Sequence, residues 1–383
     1  MFRKLFFFFT WFSFALTGLT YYLLRRRLKL GKTGNRILFS FFLLVAILMI
    51  TGGSVYRRYQ PDVDSFGSNL LQWSQYLLMG WLATTFLVMM ISEVLQLLSK
   101  PFDPKKRIFL TEGAAKGILI GTSLATVGGL LEANAGPEVT PIQIKLPTLP
   151  PAFKGLTIAQ ISDIHIGPLL HRGFLDKVVD QVMALNPDII AITGDLVDGT
   201  VEQLRHQMEP LRRLKAKDGI YFCTGNHEYY SGVEEWIKEL ESMGIHVFKN
   251  SNVVFTRKDA SSDEKLLLGG VYDLKSYNVS NHTCDPKKAA ETSENVGCKI
   301  LLSHNPMGAP ETADAGFDLQ LSGHTHAGQF MPFTFILKMV LKYTEGHYFV
   351  NEKTQLYINR GTGYWGPPNR LGKRSEITHL TLI

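Results

Sequence analysis

Two hydrophobic rhythms divide the chain. Over the first third, long apolar stretches fill residues 5–24, 37–56, 70–91 and 113–131, each near the roughly 20 residues that cross about 30 Å of hydrocarbon. Four membrane helices are predicted there. From about residue 156 the apolar runs shorten and alternate with amphipathic stretches. Strands are expected at 156–162, 188–193, 220–224, 266–271, 299–303, 319–322, 355–359 and 377–382, and helices at 174–185, 201–214 and 233–243. That alternation predicts an α/β domain with a central sheet covered by helices. Between the two regions lies a proline-rich linker, 132–155, in which 139–146 partly alternates and is read as an edge strand. The organisation expected is therefore an anchor (1–131), a linker with an edge strand (132–155) and a soluble domain (156–383). The polar stretch 273–297 reads as a surface insert.

Charge follows the same division. The net charge of the 383 residues is +6, but residues 1–108 hold 14 Lys+Arg against 4 Asp+Glu, and the remainder is net acidic. The basic character belongs to the anchor, so the soluble part loses the main support for nucleic-acid binding. Arg25, Arg26, Arg27, Lys29, Lys32 and Arg36 crowd the link after the first stretch, and Lys100, Lys105, Lys106 and Arg107 the link after the third. The positive-inside rule places those links in the cytoplasm, and four spans then put the C-terminal domain outside it. Glu93 and Lys116, at span ends, are expected to reach the interface. A removable signal peptide fits the first stretch poorly, because further spans follow and no small-residue cleavage site is evident. Cys223 reads as a buried thiol in a strand. Cys284 and Cys298 flank the polar insert and form a disulfide if the domain is exported; two unpaired thiols is an equal alternative.

Chemistry enters at the strand ends. "SDIH" brings Asp163 and His165, "TGDLVD" Asp195, "TGNHE" Asn226, His227 and Glu228, "LLSHNP" His304, and "LSGHTH" His324 and His326. Ligands gather at the carboxyl ends of strands in α/β sheets, so residues remote in sequence can meet on one rim. Singly, each motif is weak, since a GD or GN dipeptide is usually only a turn. Together they supply carboxylate, amide and imidazole donors without a thiolate, a set suited to Mn, Fe or Zn. Glycines before Asp195, Asn226 and His324 permit tight turns or close backbone approach.

The ordered series D-x-H, GD-x-x-D, GNHE, H and GH-x-H resembles the calcineurin-like metallophosphoesterase superfamily over about residues 139–383. The closing "INRGTGYWGPPNRLGKRSEITHLTL" is similar to its bacterial membrane-associated branch. The resemblance implies a β-sandwich flanked by helices and two divalent metal ions. Carried over by motif, Asp163, His165 and His326 bind the first ion, Asn226, His304 and His324 the second, and Asp195 bridges them. His227 contacts the phosphate and assists the leaving group, while Asp198 and Glu228 are candidates to orient ligands. A hydroxide between the cations attacks a phosphodiester, phosphomonoester or pyrophosphate in line. Gly199 stands where the protein-phosphatase branch carries Arg, which argues against phosphoprotein substrates.

The implied protein is an integral membrane hydrolase of a bacterial inner or plasma membrane, its catalytic domain extracytoplasmic. It would act on a phosphorylated small molecule or a lipid-linked substrate; no protein partner is inferable. The rival reading is a non-catalytic phosphate-binding sensor or scaffold, although such proteins tend to lose a ligand. Some segments stay open between two readings. Residues 105–117 resemble a worn twin-arginine export signal or form a basic flank. Residues 330–343 form a core helix or covered loop, the favoured reading, or meet the bilayer or hold an acyl chain. Residues 361–370 suit a rim loop in which Arg370 contacts phosphate or makes a surface salt bridge. Asn278 and Asn281 begin glycosylation triplets that matter only in a eukaryotic secretory route. The six remaining histidines carry no motif and no metal role.

Overall fold

A computed structural model describes residues 2–59, 65–98, 112–257, 264–276, 279 and 281–383; the side chains of 2–12 and 52–59 are not described. The chain forms two units, Met1–Glu132 with Gly366–Leu371, and Ala133–Trp365 with Gly372–Ile383.

The first unit is built on helices α1 (Phe2–Arg27), α2 (Lys32–Tyr59), α3 (Phe66–Leu98) and α4 (Ala114–Asn134). Three of these are long and apolar enough to cross a membrane, at Lys32–Thr51, Phe66–Leu98 and Ala114–Asn134. The expected four spans thus become three among the described residues. The first expected span is helical, but its side chains are described only from Ser13 onward, and it does not enter the count. α3, at 33 residues, is about 50 Å long, more than a bilayer's hydrocarbon needs.

Leu24, Val45, Leu82, Met89 and Ala115 pack into one core. Glu93, expected at the interface, instead accepts Arg26 at 2.5 Å and Arg27 at 3.0 Å from α1. Only 2% of the Arg27 side chain is exposed, and a charge so buried requires a partner of opposite sign. Lys116 pairs with Glu112 at 2.9 Å. Gly129 lets the Gly366–Leu371 segment approach α4: a Cβ there would stand 1.7 Å from Asn369 Oδ1, and the Arg370 N–H donates to Gly129 O at 3.0 Å. The export-signal reading at 105–117 falls mostly on 105–111, outside the described residues, as does Asn278.

The second unit holds two mixed six-stranded sheets. The first sheet has the order β1 (Glu138–Ile144), β12 (Glu376–Leu382), β2 (Thr157–Ile161), β3 (Ile189–Ile192), β4 (Ile220–Phe222) and β5 (His246–Val247). The second has β10 (Gly346–Phe349), β11 (Gln355–Ile358), β9 (Leu319–Ser322), β8 (Cys298–Leu302), β7 (Lys265–Gly270) and β6 (Ser251–Thr256). The edge-strand reading of 139–146 holds, since β1 pairs parallel with β12 at the sheet margin. Strand alternation sends Ile158, Ile189 and Ala191 toward Leu266, Leu268, Ile300, Leu302, Leu319 and Leu321 in one inter-sheet core. The single central sheet read from alternation is therefore two sheets, as the resemblance implied.

The expected helices appear as α5 (Arg172–Ala184), α6 (Val201–Met208), followed by a 3₁₀ turn, and α8 (Val233–Ser242); the short α7 (Asn226–Ser231) precedes α8. Cys284 and Cys298 are separate thiols. Cys298 faces the inter-sheet core, whereas Cys284 packs against Leu267 and Leu301, side chains of the opposite face. A bond would have to pass through the sheet. The 273–297 insert is not wholly superficial either, because His282 stacks on Tyr272 at 3.9 Å and is buried.

Candidate metal centre

Every predicted ligand falls just past the carboxyl end of a strand: Asp163 and His165 after β2, Asp195 after β3, Asn226 after β4, His304 after β8, His324 and His326 after β9. These are neighbouring parallel strands of the two sheets, so five loops meet on one rim. The sheets are tied there, with Gln160 Nε2 donating to Ser322 O at 2.9 Å and His304 Nδ1 2.7 Å from Thr193 O.

The backbone is bent to aim these side chains. Asp163, His165, Asp195, His324 and His326 all have positive φ, between 49° and 73°. That conformation costs roughly 1–2 kcal/mol for a residue with a Cβ, and strain of this kind persists where the surroundings enforce it, commonly at functional sites. Close approach explains the glycines. A Cβ on Gly225 would lie 2.2 Å from Asp195 Oδ1, and one on Gly323 2.1 Å from Asp163 Oδ2.

Two nitrogen–oxygen clusters result. In one, His326 Nε2 is 3.3 Å from Asp163 Oδ1 and 3.1 Å from His165 Nε2. In the other, His304 Nε2 lies 3.1 Å from both Asp195 Oδ2 and His324 Nδ1. Asp195 Oδ2 is common ground, 4.0 Å from the Nε2 atoms of both His165 and His227. Asn226 Oδ1 is buried and accepts no hydrogen bond. Such an orphaned oxygen, beside imidazole nitrogens facing one another, is what a cation-binding set looks like, and these donors fit a pair of divalent ions.

Electrostatics agree. Burial would raise the carboxylates, but His304 and His227 hold Asp195 well below the usual range, and His326 and His304 do the same for Asp163. Burial would depress His227, yet Asp195 and Asp198 raise it to about 9. His304 is likewise raised above its ordinary value against its burial, chiefly by Asp195. His324 goes the other way, to about 3, through burial and the nearby His304.

Around these sit the weaker candidates. One oxygen of Asp198 makes a short hydrogen bond to His227 Nδ1 and lies 3.3 Å from His165 Nδ1. Glu228 is 1% exposed and accepts the N–H groups of Gly225 (2.7 Å), Asp195 (3.0 Å) and Leu196 (2.7 Å). Burial and then Asp195 push its carboxyl up to about 7. Arg370 is not among the gathered side chains; it falls in the first unit, fully buried rather than at a surface.

The 361–370 reading divides. Residues 361–365 do reach the site, with Gly363 N–H donating to Asp163 O at 3.0 Å and the Trp365 ring 5.5 Å from that of His227. Sequence reasoning missed Ser162, whose hydroxyl donates to Asp163 Oδ2 at 2.5 Å. It also missed Asp273, a buried acid with an unpartnered Oδ2, which interacts electrostatically with His304. Neither carries a motif, although an acid immediately after β7 was a readable signal.

The profile of the calcineurin-like phosphoesterase family matches residues 156–328, the stretch that contains all these ligands. An uncharacterized metallophosphoesterase of Helicobacter pylori is 35% identical over 269 residues, covering 69% of this chain and 70% of that one. The chain belongs to the calcineurin-like metallophosphoesterases. An uncharacterized metallophosphoesterase of Campylobacter jejuni is similar over 354 residues at 30% identity, 90% of this chain and 89% of that protein. A zebrafish (Danio rerio) protein named transmembrane protein with metallophosphoesterase domain is 40% identical over 269 residues, 69% of this chain. The chain spans about three fifths of the vertebrate relatives it matches, 61% of the zebrafish protein and 62% of the bovine one.

Proposed function

We propose that the chain is a membrane-anchored phosphoesterase that hydrolyses a phosphodiester, phosphomonoester or pyrophosphate bond at a two-metal centre. Asp163, His165 and His326 would hold one divalent ion and Asn226, His304 and His324 the other, with Asp195 shared between them. Mn, Fe or Zn bound there would supply charge neutralisation of the phosphoryl oxygens and acidify a water. The chain's own residues do the rest. In the metal-free chain Asp195 and Asp198 raise His227 to about 9 against its burial, which favours a proton on its ring. With Nδ1 occupied by Asp198, its Nε2 is left to give that proton to the departing oxygen. Asp198 thereby orients both the acid and His165, a ligand. Glu228 fixes the turn that presents Asp195 by taking three of its neighbouring amides. The observation that carries this reading is Asp195 Oδ2, placed against imidazoles of both clusters.

Anchorage of the domain beside a bilayer favours a lipid-linked or envelope phosphate over a freely diffusing one. An extracytoplasmic domain in a bacterial inner or plasma membrane remains the proposed location, tested by C-terminal alkaline phosphatase and fluorescent-protein fusions. The function itself is tested with the purified full chain, its metal content and its turnover of bis-p-nitrophenyl phosphate in Mn²⁺. His227→Ala is expected to keep the metals and lose rate on the order of 10²–10⁴-fold, and Asp195→Asn to lose metal. Wild-type protein that binds two ions yet turns over no phosphate ester would favour a non-catalytic phosphate sensor instead.

A further inference from the structure

The loop that carries His324 and His326 runs directly into the helix Phe333–Val340. The junction is tight, since Gly328 has φ +75° and a Cβ there would lie 2.7 Å from Thr334 Cα. Thr334 is buried against this loop, but the outer face of the helix has no cover. Phe335 is 58% exposed, Ile336 40%, Met339 86% and Val340 73%, so the favoured expectation of a covered core helix is not met. Spaced i, i+1, i+4 and i+5, the four make one continuous apolar stripe. Lys338, Lys342 and Lys373 lie at or beside the helix, and Glu345, paired with Lys338 at 3.0 Å and Lys373 at 2.6 Å, offsets only one of the three charges.

We infer that Phe333–Val340 is an interfacial helix that lays this stripe into the surface of the bilayer holding the spans. Three observations select a lipid surface as its occupant. Residues 135–137 are all that joins Asn134, at the end of α4, to Glu138, at the start of β1. Fully extended, that is no more than about 15 Å of chain, so the domain stays within reach of the membrane. Its four exposed apolar residues fall well short of the roughly 20–30 a side of a stable protein–protein interface, whereas a tethered element needs little intrinsic affinity because the tether keeps its local concentration high. The lysine excess suits anionic headgroups. Docked in this way, the helix holds the attached ligand loop at headgroup level, which, resting on the phosphoesterase reading, suits a phosphate carried by a lipid.

The test uses the full chain in liposomes of phosphatidylcholine and phosphatidylglycerol, with Cys284→Ser to remove the half-buried thiol. An environment-sensitive fluorophore is placed at Met339→Cys or, as a control, at Glu202→Cys on α6. Lipid-borne nitroxide is expected to quench position 339 about fivefold more than position 202, and aqueous iodide the reverse. Adding Phe335→Asp and Val340→Asp should abolish the lipid quenching at 339 while turnover of the soluble bis-p-nitrophenyl phosphate stays within about twofold. Equal iodide quenching at the two positions overturns the proposal. So does protection from both quenchers with cross-linking of two chains through position 339, which would assign the stripe to a second copy. Absence of turnover alone would strike the phosphoesterase reading and leave the quenching result to decide this one.

Discussion

Alanine at Gly225 adds a single methyl group where the site has no space for one. Its Cβ would stand 2.2 Å from Asp195 Oδ1 and 2.5 Å from Asp195 N, against ordinary contacts that begin at 3.4 Å. Gly225 has φ −100°, which alanine adopts freely, so the consequence is steric and not conformational. Either the loop after β3 or the first turn of α7 must yield by about 1 Å, and a displacement of that size at a reacting centre costs on the order of 10²-fold in rate. The same movement pulls the His227 N–H from Asp195 Oδ1, now 2.8 Å away, so the proposed bridging ligand and the proposed acid shift together. We expect kcat/KM toward bis-p-nitrophenyl phosphate to fall about 100-fold, with metal content below that of the wild type by inductively coupled plasma mass spectrometry. Gly173→Ala, in α5 with open space around its Cβ, serves as the control and should gain up to about 1 kcal/mol of stability without losing rate. Gly225→Ala retaining both wild-type turnover and two bound ions would refute the placement of Asp195 between the clusters.

Two further outcomes follow from the same geometry. Glu228→Gln replaces one acceptor oxygen with a donor facing N–H groups, leaving a buried amide unpaired, and should destabilise the protein by about 1–3 kcal/mol; an unchanged melting temperature would contradict the role given to those three hydrogen bonds. In metal-free protein, His227 binds its proton more tightly folded, at about 9, than unfolded, at about 6.5. Its contribution is therefore complete below pH 6.5 and lost as pH rises to 9, a fall of at most about 3 kcal/mol. Metal needs neutral imidazoles, and His304, a proposed ligand, is held above its ordinary value by Asp195 despite its burial, so the stabilisation given by added Mn²⁺ should grow as pH rises. Melting curves in EDTA that stay flat from pH 6.5 to 9, or a slope left undiminished in His227→Ala, would rule this out.

The candidate ligands could be picked out because they follow strand ends, and strand ends announce themselves by the change from apolar run to Gly, Asp or His. The five positive-φ residues were not legible, since Asp and His carry no mark of backbone strain. Helix α6 was expected to run on to residue 214, but Pro210 turns its continuation into a 3₁₀ segment. β5, β6 and β10 were missed: two and four residues hold too little alternation to count in β5 and β10, and β6, Ser251–Thr256, has only the short run Val253, Val254 and Phe255. The helix Phe333–Val340 was misjudged for a general reason: hydrophobicity predicts burial only in something, and sequence cannot say whether that is protein or lipid. Cys284 and Cys298 show the same limit, being close along the chain yet divided by the thickness of a sheet.

β12 separates β1 from β2, so among the described residues the strand made immediately after the anchor finds its sheet neighbour in residues 376–382. Ribosomal synthesis delivers these partners in the wrong order, about 230 residues apart. Until the late strand arrives, one edge of β2 stays open and β1 is unmoored, a state that invites pairing with a stranger. In a nascent chain of this design the candidate ligands, all made by His326, would wait on a strand that brings none of its own. Completion of the sheet beneath the candidate metal centre thus depends on a strand that contributes nothing to its chemistry.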